Sequence, residues 1–237
     1  MGIGVRVVQE SPEVVSVEMS RPPDNSFTVE MCTALSELLA APPPGAHVLR
    51  LRGEAGVFCR GRDRSTVGRQ AAQATVDALT AVNRGLAETD LVTIAEVDGD
   101  AAGFGVGLAC LCDVTVASER ARFWFPEVAH GLAPALVLSW LPQVVGRRHA
   151  FWLTATGATL DAHSARDLGL VNLVCGPDRL PSLVDEVITG LLRHSGSVHA
   201  EIKRDLRDFD GLDSGAVAQM AMDRLLLSTV SQSEPEG

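Results

Sequence analysis

The order of apolar and polar positions changes its period several times along the chain. Apolar residues alternate with polar ones over residues 5–7 and 15–19, which predicts two half-buried strands. Helical spacing replaces this alternation over residues 29–39. Three prolines and a glycine at 42–45 end the predicted helix, because proline lacks a backbone N–H and cannot continue it.

Strand and helix signals continue to alternate after this point. The spacing predicts strands over 47–51, 92–97, 114–117 and 170–174, and helices over 69–87, 147–155 and 161–168. From residue 177 onward the patterns are helical and end in a polar tail. Strands that alternate with helices, followed by a helical C-terminus, predict a layered α/β fold.

Composition narrows the class of protein. The chain has 237 residues, 46% of them hydrophobic and 21% charged, which suits one domain or one domain with a helical appendage. A formal net charge of -10 without a basic face disfavours a nucleic-acid partner and, more mildly, an anionic membrane surface. No apolar run approaches the roughly 20 residues of a membrane span, and the N-terminus lacks the pattern of a signal peptide.

The cysteines point to a compartment. The chain has five of them, an odd number, without secretory context, so we expect reduced thiols. No cluster of His, Cys, Asp and Glu has the spacing of a metal site, and none is expected. The sequence therefore predicts a cytoplasmic enzyme or binding protein.

The segment from Leu91 to Gly146 carries the candidate chemistry. A strand leads into the glycines Gly103, Gly105 and Gly107, which would leave backbone N–H groups free at the start of a helix. Their G-x-G-x-G spacing is not the G-x-G-x-x-G of a dinucleotide site. One carboxylate, Glu127, stands in an otherwise apolar run. An anion cradle beside a lone acid–base group is typical of chemistry on a carbonyl compound that develops oxyanion character.

The same residues resemble a known family. The order V-x-G-x-x-x-G-x-G-x-G, C-D-V, F-P-E, G-L-x-P, V-G and G-L-V-N, with F-x-x-G-x-D at 58–63, is similar to the crotonase (enoyl-CoA hydratase/isomerase) superfamily over residues 5–175. The resemblance implies a β-β-α spiral core over residues 1–175. It also implies a C-terminal helical region over 176–237 that family members use for trimerisation, and hence a homotrimer or hexamer.

The resemblance also assigns roles. It implies that Glu127 is the catalytic acid–base, and that the backbone N–H groups of Arg62 and Phe104 form an oxyanion hole. Family members have glycine where this chain has Phe104, so a bulky side chain must reshape or cover the pocket. Asp63 either caps its own loop or contacts the substrate, and His130 either lines the pocket or is structural.

Position 107 departs from the hydratases of the superfamily. They carry a first catalytic glutamate there, whereas this chain has Gly107. A mechanism in which two carboxylates hold one water is therefore disfavoured. A lone glutamate can still remove a proton from the α-carbon and return it elsewhere, as single-glutamate isomerases and dehydratases do.

Three arginines stand on the loop that follows the strand predicted over 47–51. Arg60, Arg62 and Arg64 either form a solvated basic loop or capture phosphate, since arginine offers charge-assisted, bidentate bonds. The phosphate would belong to coenzyme A or to the phosphopantetheine arm of an acyl carrier protein. No cofactor beyond that carrier is expected. The tryptophans, including Trp140 and Trp152, are expected in the core or the pocket wall.

Three functions remain open on this evidence. In Gly107, in the aliphatic residues of the stretch 127–138 where hydratases have a glycine-rich run, and in Ile202-Lys203-Arg204, the chain most resembles the dehydratases of polyketide β-branching. Those enzymes act on 3-hydroxy-3-methylglutaryl groups carried by an acyl carrier protein. The first alternative is a coenzyme A-dependent enoyl-CoA hydratase or isomerase of acyl metabolism. The second is a non-catalytic homologue that binds an acyl thioester or a partner enzyme.

Overall fold

The structure, a computed structural model, describes residues 4–54, 56–65 and 67–233, with side chains as far as residue 226. The strands are β1 (Gly4–Gln9), β2 (Val14–Ser20), β3 (Val48–Gly53), β4 (Val57–Cys59), β5 (Val92–Val97), β6 (Asp100–Ala102), β7 (Val114–Ser118), β8 (Arg122–Trp124), β9 (Leu160–Asp161) and β10 (Leu173–Cys175). The α-helices are α1 (Val29–Ala40), α2 (Arg69–Glu88), α3 (Phe104–Cys110), α4 (Ala135–Leu138), α5 (Leu141–Thr156), α6 (Ala162–Asp167), α7 (Leu180–Leu191), α8 (Gly196–Phe209) and α9 (Ser214–Ser233).

The strands form two sheets. The larger has the order β1-β2-β3-β5-β7-β10, and all its neighbours are parallel except the β1–β2 pair. The smaller has the order β4-β6-β8-β9, in which β4, β6 and β8 are parallel. From β3 to β8, successive strands alternate between the two sheets, so β3-β4-α2, β5-β6-α3 and β7-β8-α4 are three turns of one β-β-α spiral. The predicted α/β spiral fold is therefore confirmed.

The smaller sheet determines where the site forms. Because β4, β6 and β8 run in parallel, the segments that follow them leave the sheet at the same edge. These segments carry Arg60 to Asp63, then Gly103 and Phe104, then Pro126 and Glu127. The carboxyl ends of parallel strands are the usual place for ligands in α/β proteins. Three motifs separated by tens of residues in sequence thus meet in space.

The strands of the smaller sheet were not predicted from the sequence. Its strands have two or three residues each, too short for a period to be read. Residues expected in a loop or a glycine turn therefore form β4 and β6, and α3 follows β6. Helix α5 begins at Leu141 rather than 147, with a kink at Gly146, where φ is 74°.

The core fills both faces of the larger sheet. Alternate residues of β3 point in opposite directions: Leu49 and Leu51 join the main core, while Val48 packs with Ile94 and with Val184 of α7. A buried ion pair lies on that second face, where Arg50 Nε donates to Glu96 at 2.6 Å. Arg50 Nη1 also donates to Asp185 of α7, at 3.1 Å.

The chain divides into two compact units. The first ends at Ala200 and the second begins at Glu201. The sequence placed the boundary after residue 175, but α7 packs on the larger sheet within the first unit. Inside the second unit, Arg224 bonds Asp205 and Asp208 and lies 5.4 Å from the ring centre of Phe209. Among the described residues, no helix is both long and apolar enough to cross a membrane.

Candidate active site

Glu127 lies at the beginning of a short 3-10 helix, Pro126–His130, that follows β8. Pro126 suits the first position of a helix, where its missing N–H has no role. The helix ends at Gly131, whose left-handed backbone (φ 69°) lets its N–H reach Val128 O at 3.0 Å. Leu132 N–H then donates to Glu127 O at 3.1 Å. These two hydrogen bonds close the C-terminal end of the turn, and the second one fixes the carbonyl group of Glu127.

The Glu127 carboxylate is shielded from water, but one of its two oxygens has no hydrogen-bond partner in the described part of the chain. Its Oε2 is buried, and within the described residues it has no hydrogen-bond partner. Burial raises the pKa of Glu127 above its ordinary value, although its own N–H and the charges of Arg64 and Arg62 counteract this. A carboxylate with a raised pKa and an unoccupied oxygen is suited to take up a proton and return it.

Gly103 makes room for that carboxylate. A Cβ added to Gly103 would lie 2.7 Å from Glu127 Oε1, and the backbone there is left-handed with φ 52°. Gly103 N–H donates to Trp124 O at 2.9 Å, which ties the turn to β8. The next residue, Phe104, begins α3, and the first N–H groups of a helix have no partner within it.

Arg62 is oriented by a residue that the sequence analysis did not single out. Phe27 forms an isolated parallel bridge with Arg62: Phe27 N–H donates to Gly61 O at 2.9 Å, and Asp63 N–H donates to Phe27 O at 2.7 Å. Because peptide groups alternate along an extended chain, the N–H of Arg62 points to the opposite side of this segment. The ring of Phe27 also packs edge-on against Phe104, with centroids 5.6 Å apart. Phe27 thus contacts both segments expected to supply backbone donors.

A cavity of about 310 Å³ connects these groups. Its walls are mostly apolar, and Glu127 is the only carboxylate among the described residues that line it. The lining comprises Arg60, Gly61, Arg62, Arg64, Val76, Leu79, Gly103, Phe104, Pro126, Glu127 and Leu132 to Val137. A wider cleft of about 750 Å³ shares Arg60, Arg62, Arg64 and Pro126 with this cavity, so the two adjoin.

The three arginines are not equivalent. Arg60 is paired with Asp100, its Nε donating at 2.9 Å, and its guanidinium lies 6.0 Å from the ring centre of Trp124. Arg62 and Arg64 are exposed, and in the described part of the chain neither lies within ion-pair distance of a carboxylate. The charge at the shared rim therefore resides on Arg62 and Arg64, while the charge of Arg60 is compensated.

Asp63 and His130 lie outside the smaller cavity. Asp63 accepts from Ser65 Oγ, from Ser65 N–H at 3.3 Å and from Arg21 Nη2 at 3.2 Å. Its pKa is lowered, first by the Ser65 hydroxyl, so it is an ionised carboxylate that orders its own loop. His130 is exposed and lines the wider cleft. Both residues thus border the cleft beside the site.

The remaining two glycines serve packing. A Cβ on Gly105 would lie 1.9 Å from the backbone oxygen of Cys59, so α3 can approach β4 only without a side chain there. A Cβ on Gly107 would make ordinary contact with the indole of Trp140, at 3.6 Å from Cζ2. Neither glycine lines the cavity. The sequence predicted Trp140 only as an aromatic residue of the core or the pocket wall, and it gave no sign of Phe27. Both residues contact the site through partners that are distant in sequence, so local spacing does not reveal them.

Among the described residues, no metal site accompanies these groups. In residues 4–54, 56–65 and 67–233, no three or more His, Cys, Asp and Glu side chains are grouped so that they could hold a metal ion. The five cysteines all lie in the described residues and form no disulfide, and burial raises the pKa of Cys59 beside the site to about 12. Among the described residues that line the cavity, Glu127 is the one acidic side chain.

Comparison with known proteins identifies the family. The model of the enoyl-CoA hydratase/isomerase family matches residues 9–236. The chain therefore belongs to this family. It is 28% identical over 244 residues to the 2,3-dehydroadipyl-CoA hydratase of Escherichia coli, covering 96% of this chain and 92% of the relative.

Two further similarities concern the carrier of the acyl group. A trans-2-decenoyl-acyl-carrier-protein isomerase of Streptococcus mutans is 29% identical over 201 residues, covering 80% of this chain and 76% of that protein. A Thermobifida fusca protein of the enoyl-CoA hydratase type, solved in complex with acetoacetyl-CoA, superposes with a TM-score of 0.86 at 27% identity. That match covers 96% of this chain and 95% of the other.

Proposed function

We propose that this protein is a single-glutamate isomerase that moves the double bond of an enoyl thioester of coenzyme A. The observation that carries this proposal is the cavity with one lining carboxylate, Glu127, whose buried Oε2 has no partner in the described residues. The expectation of a coenzyme A enzyme, given above as an alternative, is better supported by the relatives than the dehydratase of polyketide β-branching is.

The reaction needs one group that both accepts and donates a proton. Glu127 would take a proton from C2 of a 3-enoyl thioester, and the electrons of that C–H bond would pass into the thioester carbonyl as a dienolate. The N–H groups of Arg62 and Phe104 would stabilise the oxyanion. Transfer of a proton from Glu127 to C4, after exchange with solvent where the carboxyl group has time for it, shifts the double bond from C3–C4 to C2–C3 and restores the Glu127 carboxylate.

The cleft beside the cavity suits the rest of the carrier. Arg62 and Arg64 supply uncompensated positive charge at the rim shared by cleft and cavity. In a protein of net charge -10, that local charge favours a phosphate-bearing ligand at this place. Exchange of Arg64 for Gln should raise KM for an acyl-CoA several-fold and leave KM for the phosphate-free acyl-pantetheine unchanged. The exposed Arg69, exchanged for Gln, is the control.

The test of the function is proton transfer itself. The protein is incubated in deuterium oxide with 3-enoyl-CoA thioesters of several chain lengths, and the products are analysed by mass spectrometry and NMR. We expect formation of the 2-enoyl isomer, with deuterium incorporated at C2 and C4. Absence of both isomerisation and exchange over the whole series would contradict the proposal.

A dehydratase acting on an acyl carrier protein is the second candidate. The lone Glu127 also suits removal of the C2 proton from a 3-hydroxyacyl thioester, with the 3-hydroxyl leaving as water. The Streptococcus mutans relative carries the name of an enzyme for a carrier-protein thioester. Mass spectrometry of a carrier protein loaded with 3-hydroxy-3-methylglutaryl decides between them: a loss of about 18 Da indicates dehydration. A further loss of carbon dioxide would show coupled decarboxylation.

A non-catalytic, binding role is the third candidate. Phe104 at the oxyanion turn and the missing carboxylate at Gly107 favour it. Tight binding of an acyl thioester without any deuterium exchange at C2 would establish it, whereas exchange would exclude it.

Self-association is proposed together with the function. Within the C-terminal unit the apolar side chains of Leu206, Met222, Leu225 and Leu226 are 59–70% exposed. Met222, Leu225 and Leu226 lie on one face of α9 at helical spacing, and contiguous exposed apolar patches commonly mark protein–protein contacts. We expect a homotrimer or hexamer, and light scattering coupled to size exclusion will give the mass.

A further inference from the structure

Two glycines at the start of α3 accommodate side chains from the chain segment after β8. Gly103 caps the helix and Gly107 lies one turn further on, where its N–H donates to Gly103 O at 3.2 Å. The first leaves space for the Glu127 carboxylate, and the second for the Trp140 indole. Glu127 and Trp140 thus contact successive turns of the same helix, whose pitch is about 5.4 Å.

The indole is held firmly at this position. Trp140 is only 7% exposed, and its ring lies 6.4 Å from that of Phe125, tilted by 56°. The backbone N–H of Trp140 donates to Val137 O at 3.2 Å, and Val137 lines the cavity that contains Glu127. An added Cβ on Gly107 would lie 3.6 Å from Cζ2 and 3.9 Å from Nε1 of the indole. The volume beyond a β-carbon at residue 107 is therefore already filled.

We infer that Trp140 is the specificity-determining residue that excludes hydration. Its indole occupies the volume that a second acidic side chain at residue 107 would need, together with the water that such an acid would hold. The inference deepens the proposed proton-transfer function and rests on it. The cavity is left with one acid–base group, so the bound acyl chain exchanges protons with Glu127 and gains no water.

The two reactions differ in one reactant. Hydration of a 2-enoyl thioester forms a bond between the water oxygen and C3, while the second acid takes a proton from that water and Glu127 gives its proton to C2. Isomerisation needs neither the water nor the second acid. Filling the space beside Gly107 therefore suppresses hydration without touching the proton transfer to Glu127.

The experiment combines two substitutions. We compare the wild type, Gly107→Glu, Trp140→Ala and the double variant for hydration of crotonyl-CoA and for deuterium exchange at C2. We expect hydration in the double variant to exceed that of Gly107→Glu by at least about 100-fold, the lower end of what one positioned acid–base group contributes. Trp152→Ala, which removes a tryptophan that is 47% exposed on α5, is the matched control.

Stability provides a readout that does not depend on activity. A Glu side chain at residue 107 should collide with the indole, so Gly107→Glu lowers the thermal midpoint of the wild type. The same substitution should cost much less in the Trp140→Ala background, and such non-additivity measures direct contact. Gly107→Ala should not lower the thermal midpoint of the wild type or of Trp140→Ala, because the added Cβ makes only ordinary van der Waals contact.

Each outcome decides the inference. Additive thermal midpoints would overturn it, as would equal hydration by Gly107→Glu and the double variant. A folded double variant that exchanges the C2 proton but does not hydrate would also overturn it. If the wild type exchanges no proton with any thioester, the proposed function fails. Coupled midpoints would still show in that case that Trp140 fills the position of the second acid.

Discussion

Glu127 Oε1 occupies the space into which a side chain at Gly103 would extend: a Cβ added there would lie 2.7 Å from that oxygen. The contact joins the turn after β6 to the helix after β8, two segments that leave neighbouring parallel strands at the same edge of the smaller sheet. It explains why the carboxylate stays beside the first N–H groups of α3. Because Gly103, Gly105 and Gly107 each face a different neighbour, alanine substitution should affect each of them differently.

We predict three different outcomes for alanine at the three glycines. Gly103→Ala should lower activity strongly, because it combines a left-handed φ of 52° with displacement of Glu127. Gly105→Ala should destabilise the fold, because its Cβ would lie 1.9 Å from the Cys59 backbone oxygen. Gly107→Ala should be neutral or stabilising by up to about 1 kcal/mol, since alanine is favoured over glycine within a helix. Urea unfolding and turnover of each variant provide the comparison.

Glu127→Gln should abolish proton transfer while the protein stays folded. The amide is nearly isosteric with the carboxylate but cannot accept the C2 proton, so we expect turnover to fall by about 100-fold or more. Stability should be retained or increased, because the substitution removes a desolvated negative charge. Glu88→Gln, at an exposed position of α2, is the control. Wild-type turnover in the Glu127 variant would remove this residue from the mechanism.

The raised pKa of Glu127 predicts a pH dependence of stability with a defined sign. In the unfolded chain this carboxyl ionises near its ordinary value of 4.5, whereas in the folded protein it holds its proton to higher pH. Between those two values the folded state binds more protons, so the contribution of Glu127 to the free energy of unfolding falls as pH rises. It then stays constant above the folded pKa.

Unfolding of wild type and Glu127→Gln across this range tests the sign. The stability advantage of the Gln variant should appear above pH 4.5 and grow with pH. An advantage that shrinks with rising pH would contradict the raised pKa. Activity should fall at low pH, because a protonated Glu127 cannot accept the substrate proton. The midpoint of this fall should lie above the ordinary glutamate pKa of 4.5.

Removal of the Phe27 ring should affect catalysis more than binding. Phe27→Leu keeps the backbone bridge to Arg62 but loses the edge-on contact with Phe104. We expect a stability loss of about 1–2 kcal/mol, as for a shape change in a packed core. If the two backbone donors stabilise the enolate, kcat should fall while KM changes little. The matched control is Leu35→Val, at a buried site on α1 that does not line the cavity, which should lower stability without altering kcat.

Removal of one partner of the buried ion pair between Arg50 and Glu96 should destabilise the protein strongly, and removal of both partners should restore most of the stability. Their side chains are 5% and 9% exposed, so Arg50→Met would leave Glu96 without its partner in the sheet. We expect a loss of about 3–5 kcal/mol by urea unfolding, and recovery of most of it in the double variant Arg50→Met/Glu96→Leu. The exposed Arg166, exchanged for Met, breaks a surface pair with Asp167 and should cost at most about 1 kcal/mol.

The sequence by itself determined the long elements and the family. Strands β2, β3 and β5 and helices α1 and α2 each span two or more periods of their pattern, so local spacing suffices to predict them. The motifs around Gly103 and Glu127 were recognisable for the same reason, since each is contiguous in the chain. The family motif then implied the spiral fold, which the alternation of strands between two sheets confirms.

Only the tertiary structure decided how the site is built. Strands β4, β6 and β8 are too short to carry a period, and yet their parallel pairing brings the three motifs to one edge. The contacts of Phe27 with Arg62 and of Gly107 with Trp140 join residues more than 30 positions apart. Such contacts depend on how the elements pack in three dimensions, which no local spacing encodes. The same holds for the unbonded oxygen of Glu127, because burial is a property of the assembled cavity.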